Sequence, residues 1–153
     1  MNDETLLRRA IAIAAESRAA GNHPFGALLA GPDGKILLEQ FNGQQTGDRT
    51  AHAERALMSR ASQLYDADFL ARCALVTSAE PCAMCTGAAY WAGIGKIVFG
   101  LSEHDLKAMI GPHPENLTMD LPCRTVVAAG QREIAVVGPL LEAESAIVHE
   151  GFW

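Results

Sequence analysis

Two short stretches hold the residues able to do chemistry. Thr50-Ala51-His52-Ala53-Glu54 sets a carboxylate two residues after an imidazole, and Ala79-Glu80-Pro81-Cys82-Ala83-Met84-Cys85 sets two thiols one helical turn apart. One imidazole and two thiolates suit a zinc ion, and three protein ligands leave the fourth corner of a tetrahedral site open to water. Zinc brings the pKa of such a water down to about 7. Glu54 is the natural carrier of the released proton, taking it from the water and delivering it to a substrate. A backbone N–H near Cys82, at the start of the cysteine helix, is placed to steady the oxygen, because helix N-termini carry unpaired donors. Each residue alone reads more plainly. The Cys-x-x-Cys pair fits a redox couple or half of a structural zinc site completed by Cys73 and Cys123, His52 a helix-start histidine, and Glu54 a solvated carboxylate favoured by the helix dipole. Their joint spacing favours the catalytic zinc.

The elements that must position these groups follow from periodicity and turn chemistry. Residues 4–20 carry Leu6, Leu7, Ala10, Ile11, Ala14 and Ala15 at helical spacing and end at Gly21-Asn22. Residues 25–30 and 35–39 read as two strands joined by Gly31-Pro32-Asp33-Gly34, a hairpin. Residues 51–64 are an Ala-, Leu- and Met-rich helix capped by Asp48 or Thr50, with His52 in its first turn. Residues 73–77 form a buried strand that leads to Pro81 at a helix start, and Gly93 and Gly95 end that helix before a strand at 97–99. Strand, helix, strand implies a right-handed crossover and a parallel pair, with the cysteines at the strand-to-helix junction where α/β sheets place ligands. Further on, 101–110 reads as a short helix, 111–122 as irregular, 133–137 as a last strand and 140–149 as a last helix. The sum is an α/β protein with helices on both sides of a five-stranded mixed sheet.

Composition narrows the partners. A chain of 153 residues, 49% hydrophobic, has the size of one domain able to bury a full core. Its net charge of −6 opposes a grip on many phosphates and favours a small neutral substrate. No run of apolar residues approaches membrane-spanning length, no basic leader precedes an apolar core, and four cysteines with one Cys-x-x-Cys pair suit a reducing cytoplasm better than a disulfide framework.

Taken together, His-x-Glu followed by Pro-Cys-x-x-Cys is the signature of zinc nucleobase deaminases. With Pro24-Phe25-Gly26-Ala27 and Gly87-Ala88-Ala89-Tyr90-Trp91-Ala92 in the same order, the chain resembles the cytidine deaminase superfamily, within it the branch of small guanine deaminases and tRNA adenosine deaminases. The resemblance implies a three-layer α/β/α fold, one catalytic zinc per subunit held by His52, Cys82 and Cys85, Glu54 as proton shuttle, hydrolytic release of an exocyclic amine as ammonia, and a homodimer. It also implies a base pocket with Phe25, Asn42 and Ala53, and Trp91 as a mark of free purines over tRNA. His23 is a weaker contact. The tail His149-Glu150-Gly151-Phe152-Trp153 suggests a lid in which Glu150 accepts from a guanine-type N–H edge, against a plainer reading in which the aromatics pin the tail to the core. Guanine to xanthine is the leading reaction. Wobble-adenosine deamination in tRNA, deamination of cytosine or a triazine, and a zinc-stapled binding module are the alternatives.

Overall fold

The computed structural model describes residues 2–153. Helix α1 (Asp3–Ala19) starts where Asn2 accepts the Thr5 N–H on its side chain at 2.8 Å. Its buried face is Leu6, Leu7, Ala10, Ile13 and Ala14, so Ile13 takes the place expected of Ile11, and Ala15 points to solvent. Strands β1 (Gly26–Ala30) and β2 (Ile36–Phe41) form the expected antiparallel hairpin. Helices α2 (Ala53–Leu64) and α3 (Ala67–Leu70) lead to β3 (Ala74–Ala79), which runs antiparallel to β1. Helix α4 (Ala83–Ala92) then crosses over to β4 (Lys96–Leu101), parallel to β3 as expected. Helices α5 (Glu103–Ile110) and α6 (Cys123–Ala128), strand β5 (Ala135–Val137) and helix α7 (Glu142–Ile147) complete the chain. The sheet order is β2-β1-β3-β4-β5.

Alternation along the strands makes three layers. Ala27, Leu29, Leu75, Ile97 and Phe99 pack with Leu57, Met58 and Ala61 of α2 and Ala89 of α4. The intervening Leu28, Ala30, Val76 and Val98 pack under α1 on the other face. Gly26 permits that second contact, since a Cβ there would lie 2.5 Å from the Ala14 nitrogen and 2.6 Å from the Ala10 oxygen.

The differences from expectation are local. Helix α2 starts at Ala53, and its N-cap is His52 itself, with neither Asp48 nor Thr50 in that position. Asp48 instead accepts from the Thr50 N–H and hydroxyl, tightening the loop ahead of the site. Helices α3 and α6 had no counterpart in the sequence reading: at 4 and 6 residues they are too short to display a period. Among the described residues no helix is long and apolar enough to cross a membrane.

Candidate active site

Two helix starts face one another beneath the sheet edge. His52 (ψ 149°) and Cys82 (ψ 174°) both have the extended backbone of an N-cap, one ahead of α2 and the other ahead of α4. Cys85 follows in the first turn of α4. This brings His52 Nδ1 to 3.5 Å from Cys82 Sγ and 3.6 Å from Cys85 Sγ, with all three donor atoms within 4.8 Å of one another. Zinc at the usual bond lengths and a tetrahedral angle would require N···S separations of about 3.6 Å. The residues present therefore fit a zinc ion. Cys73 and Cys123 are buried elsewhere, and among the described residues only this trio gathers metal donors, so the four-cysteine reading has no support.

Electrostatics favour one thiolate in the donor set. The Cys82 thiol is held far below its usual range by hydrogen bonding with Cys85, helped by His52, while the same partnership and burial hold Cys85 well above it. His52 is raised in turn, chiefly by its bond to Cys82. By contrast, burial pushes the Cys123 thiol up to about 12, which leaves it unreactive.

Glu54, the second residue of α2, is 5% exposed. Burial pushes its carboxyl up to about 7, against the pull of His52. Two further carboxylates that the sequence reading passed over stand close by. Glu80, at the end of β3, accepts the N–H groups of Glu103 at 2.9 Å and Cys123 at 2.8 Å, and so ties the starts of α5 and α6 to the sheet. Glu103 is 6% exposed, and its carboxyl is pushed up to about 8 by burial and then by the charges of Cys82, Glu54 and Glu80. Its signal in the sequence was position: Ser102-Glu103 opens a helix directly after a parallel strand, as Cys82 does.

His52, Cys82 and Glu54 open onto a cavity of about 580 Å³ whose wall also includes Phe25, Asn42, Glu103 and Glu115, while Cys85 is fully buried behind it. Asn42 is buried and its side-chain oxygen accepts the Gln44 N–H at 2.8 Å, which leaves its amide NH2 for other partners. Ala53 is fully buried at the start of α2. His23 lines the cavity with its ring 3.2 Å from Glu115, another residue with no motif to announce it. Phe25 also lines the cavity and rests against His149 and Trp153, with ring centroids at 5.3 and 6.1 Å.

Three expected contacts lie elsewhere. Trp91 is 84% exposed and is not part of the cavity wall. It follows Cys82 by nine residues, which at 3.6 residues per turn puts it about 180° around α4 from the ligand. Tyr90 is structural: its hydroxyl accepts the Gln131 N–H at 2.9 Å. Glu150 is exposed and outside the wall, its carbonyl accepting from Arg18 at 2.6 Å. Trp153 is also outside, its indole N–H donating to His149 Nδ1 at 3.1 Å and its ring stacked on Phe152 at 4.8 Å. Within the chain the tail thus braces the wall behind Phe25.

A histidine and two cysteines of zinc-binding geometry beside a buried carboxylate, at helix starts of a five-stranded mixed sheet, define a hydrolytic deaminase. Residues 1–101 match the family model described as the cytidine and deoxycytidylate deaminase zinc-binding region, and the chain belongs to that family, whose members hydrolyse C–N bonds of nucleobases. It is 38% identical over 152 residues to a Schizosaccharomyces pombe protein described as a probable cytosine deaminase, covering 99% of this chain and 92% of the relative. It is 45% identical over 113 residues to the guanine deaminase of Bacillus subtilis, covering 72% and 71%. Among solved structures, the NE0047 protein in complex with 8-azaguanine superposes with a TM-score of 0.78 at 28% identity, over 97% of this chain and 82% of the other.

Proposed function

We propose that the chain, as one domain over residues 1–153, is a zinc-dependent deaminase of free amino-substituted bases, with guanine to xanthine and ammonia as the preferred reaction. The carrying observation is Glu54, a buried carboxyl on the wall of the same cavity that His52 and Cys82 of the metal-binding trio line. Zinc held by His52, Cys82 and Cys85 would supply an acidified water as nucleophile. Glu54 takes up the water's proton and gives it to a ring nitrogen beside the amine-bearing carbon, then carries the remaining proton of the added hydroxyl to the amine, so that the C–N bond breaks, ammonia leaves and the carbonyl forms. Phe25 offers its ring to the flat base, Asn42 offers its amide, and the Cys82 N–H at the start of α4 would donate to the developing charge, while Ala53, fully buried, lies outside the cavity wall. Support for a purine comes from relatives: structures of NE0047 hold 8-azaguanine and 2,6-diaminopurine. The acidic balance of the chain speaks against a nucleic acid partner and for a small molecule.

A homodimer would cover the solvent face of α4, where Trp91 and Met84 are exposed, and a cytoplasmic setting suits free thiol ligands. Cytosine is the second reading, because the pombe relative matches along 99% of this chain. Ammonia release from guanine, guanosine, adenine, cytosine and a tRNA stem-loop, run on zinc-loaded protein, tests the assignment. Fastest release from guanine is the expected result. A faster rate with cytosine would shift it to the second reading, and no release from any of them would end the deaminase proposal.

A further inference from the structure

We propose that Glu103 is a specificity-determining residue whose carboxyl accepts a hydrogen bond from a ring N–H flanking the amine-bearing carbon of the substrate. The inference rests on the deaminase reading above and sharpens its substrate class. Three buried carboxylates surround the metal-binding trio, and two have work to do within the protein or the reaction. Glu54 handles protons. Glu80 spends one oxygen on the Glu103 N–H and the other on the Cys123 N–H. The backbone of Glu103 is held on both sides, by Glu80 and by the Ser102 cap, whose hydroxyl accepts the Asp105 N–H at 3.1 Å. Among the described residues, however, no hydrogen bond or ion pair reaches its own carboxyl oxygens, although the residue is 94% withdrawn from solvent (6% exposed) and lines the cavity with Glu54, His52 and Cys82. Its oxygens are not sealed off, since among the described residues the buried polar side-chain atoms without a partner are those of Ser145 and His149, and the opening of Glu103 is into the cavity. A rigidly mounted acceptor that faces a binding cavity is satisfied by what binds there.

The chemistry of the ring decides which donor that is. The carbon that loses its amine in guanine has nitrogen on both flanks, one to be protonated by Glu54 and the other already carrying a hydrogen. In cytosine and adenine the second flank is a carbon, which offers only a poor C–H donor in cytosine and, being a ring-fusion carbon, no hydrogen at all in adenine. An acceptor beside the reacting carbon and distinct from Glu54 therefore favours a guanidine-type carbon, with nitrogen on both sides, over an amidine-type one. This is the N–H acceptor that the sequence led one to seek in Glu150, and Glu103 occupies the cavity where Glu150 does not.

Guanine and 2-aminopurine share the ring and the amine, but the flanking ring nitrogen is an N–H donor in guanine and a lone pair in 2-aminopurine; the guanine carbonyl that 2-aminopurine lacks is the same in every variant, so the change in preference between variants is what reports on the N–H. Affinity is read on zinc-free protein from 2-aminopurine fluorescence and its displacement by guanine, and KM and kcat for both on zinc-loaded protein. The wild type should prefer guanine. Glu103→Met, similar in length but without an acceptor, should reduce that preference about tenfold or more, mostly through affinity and KM, as expected for one buried hydrogen bond. Glu103→Gln, which keeps a carbonyl acceptor, should retain most of it and controls for a folding defect in the Met variant. An unchanged guanine preference in Glu103→Met, or equal losses for both ligands, would overturn the inference. Wild-type protein that released ammonia from neither ring would instead overturn the guanine reading on which the inference rests.

Discussion

His149 makes the stability of this protein depend on pH in a way that a single substitution should remove. The ring is buried behind Phe25, accepts the Trp153 indole N–H on Nδ1 at 3.1 Å, and has no hydrogen-bond partner for Nε2. Only the neutral ring with its hydrogen on Nε2 can accept from Trp153, and protonation would set two N–H donors against each other. Burial, with the Arg18 charge adding to it, accordingly lowers the His149 pKa from 6.5 to about 4. A histidine depressed in the folded state is neutral in both states above pH 6.5, so it costs nothing there. As pH falls, the unfolded chain takes up a proton that the folded one refuses, and stability drops until the folded pKa is passed. At 1.36 kcal/mol per unit, linkage puts the loss at about 1.4 kcal/mol by pH 5.5 and about 2.5 kcal/mol by pH 4.5. Urea unfolding from pH 7.5 to 4.5, with zinc removed from both proteins, should show the stability of His149→Phe gaining on that of the wild type by those amounts as pH falls. The difference between the two proteins is the quantity that matters, since His52 and the cysteines titrate in both. If the two lose stability in parallel across that range, the depressed histidine is not responsible for acid sensitivity and the argument from Trp153 fails.

Other expectations follow from single contacts. Glu54→Gln should lower ammonia release by about 10²- to 10⁴-fold. Metal analysis should find its zinc content unchanged, and a wild-type rate would remove Glu54 from the mechanism. Chelation should abolish turnover and lower the melting temperature, both restored by zinc, because the ion joins the starts of α2 and α4. Glu80→Ala strands two buried N–H groups, those of Glu103 and Cys123, and should cost about 3 kcal/mol in denaturant unfolding. Gly26→Ala forces a Cβ against the backbone of α1 and should destabilise by about 1–3 kcal/mol, with the far-ultraviolet spectrum of the folded protein retained.

The chemistry of the metal centre was readable in advance because it is written locally. An i, i+3 pair of cysteines at a helix start and an i, i+2 His-x-Glu depend only on the few residues around them, and Pro81 and Gly93 mark the limits of α4 almost to the residue. The turn chemistry of Gly31-Pro32-Asp33-Gly34 and the strand-helix-strand rule likewise sufficed for the hairpin and for the parallel β3-β4 pair. The rest of the site depended on the tertiary structure, since it is assembled from residues far apart in the chain. Glu80 reaches Cys123 across 43 positions, and His23 reaches Glu115 across 92, pairings for which no periodicity gives a signal. Trp91 carries the same warning from the other direction: its place in a motif pointed to the substrate, while the pitch of its helix turned it to solvent. Residue type and spacing therefore determined which atoms could hold a metal and move a proton. Only the packing of sheet, helices and tail decided which other side chains face the same cavity, because that depends on the position of every element at once.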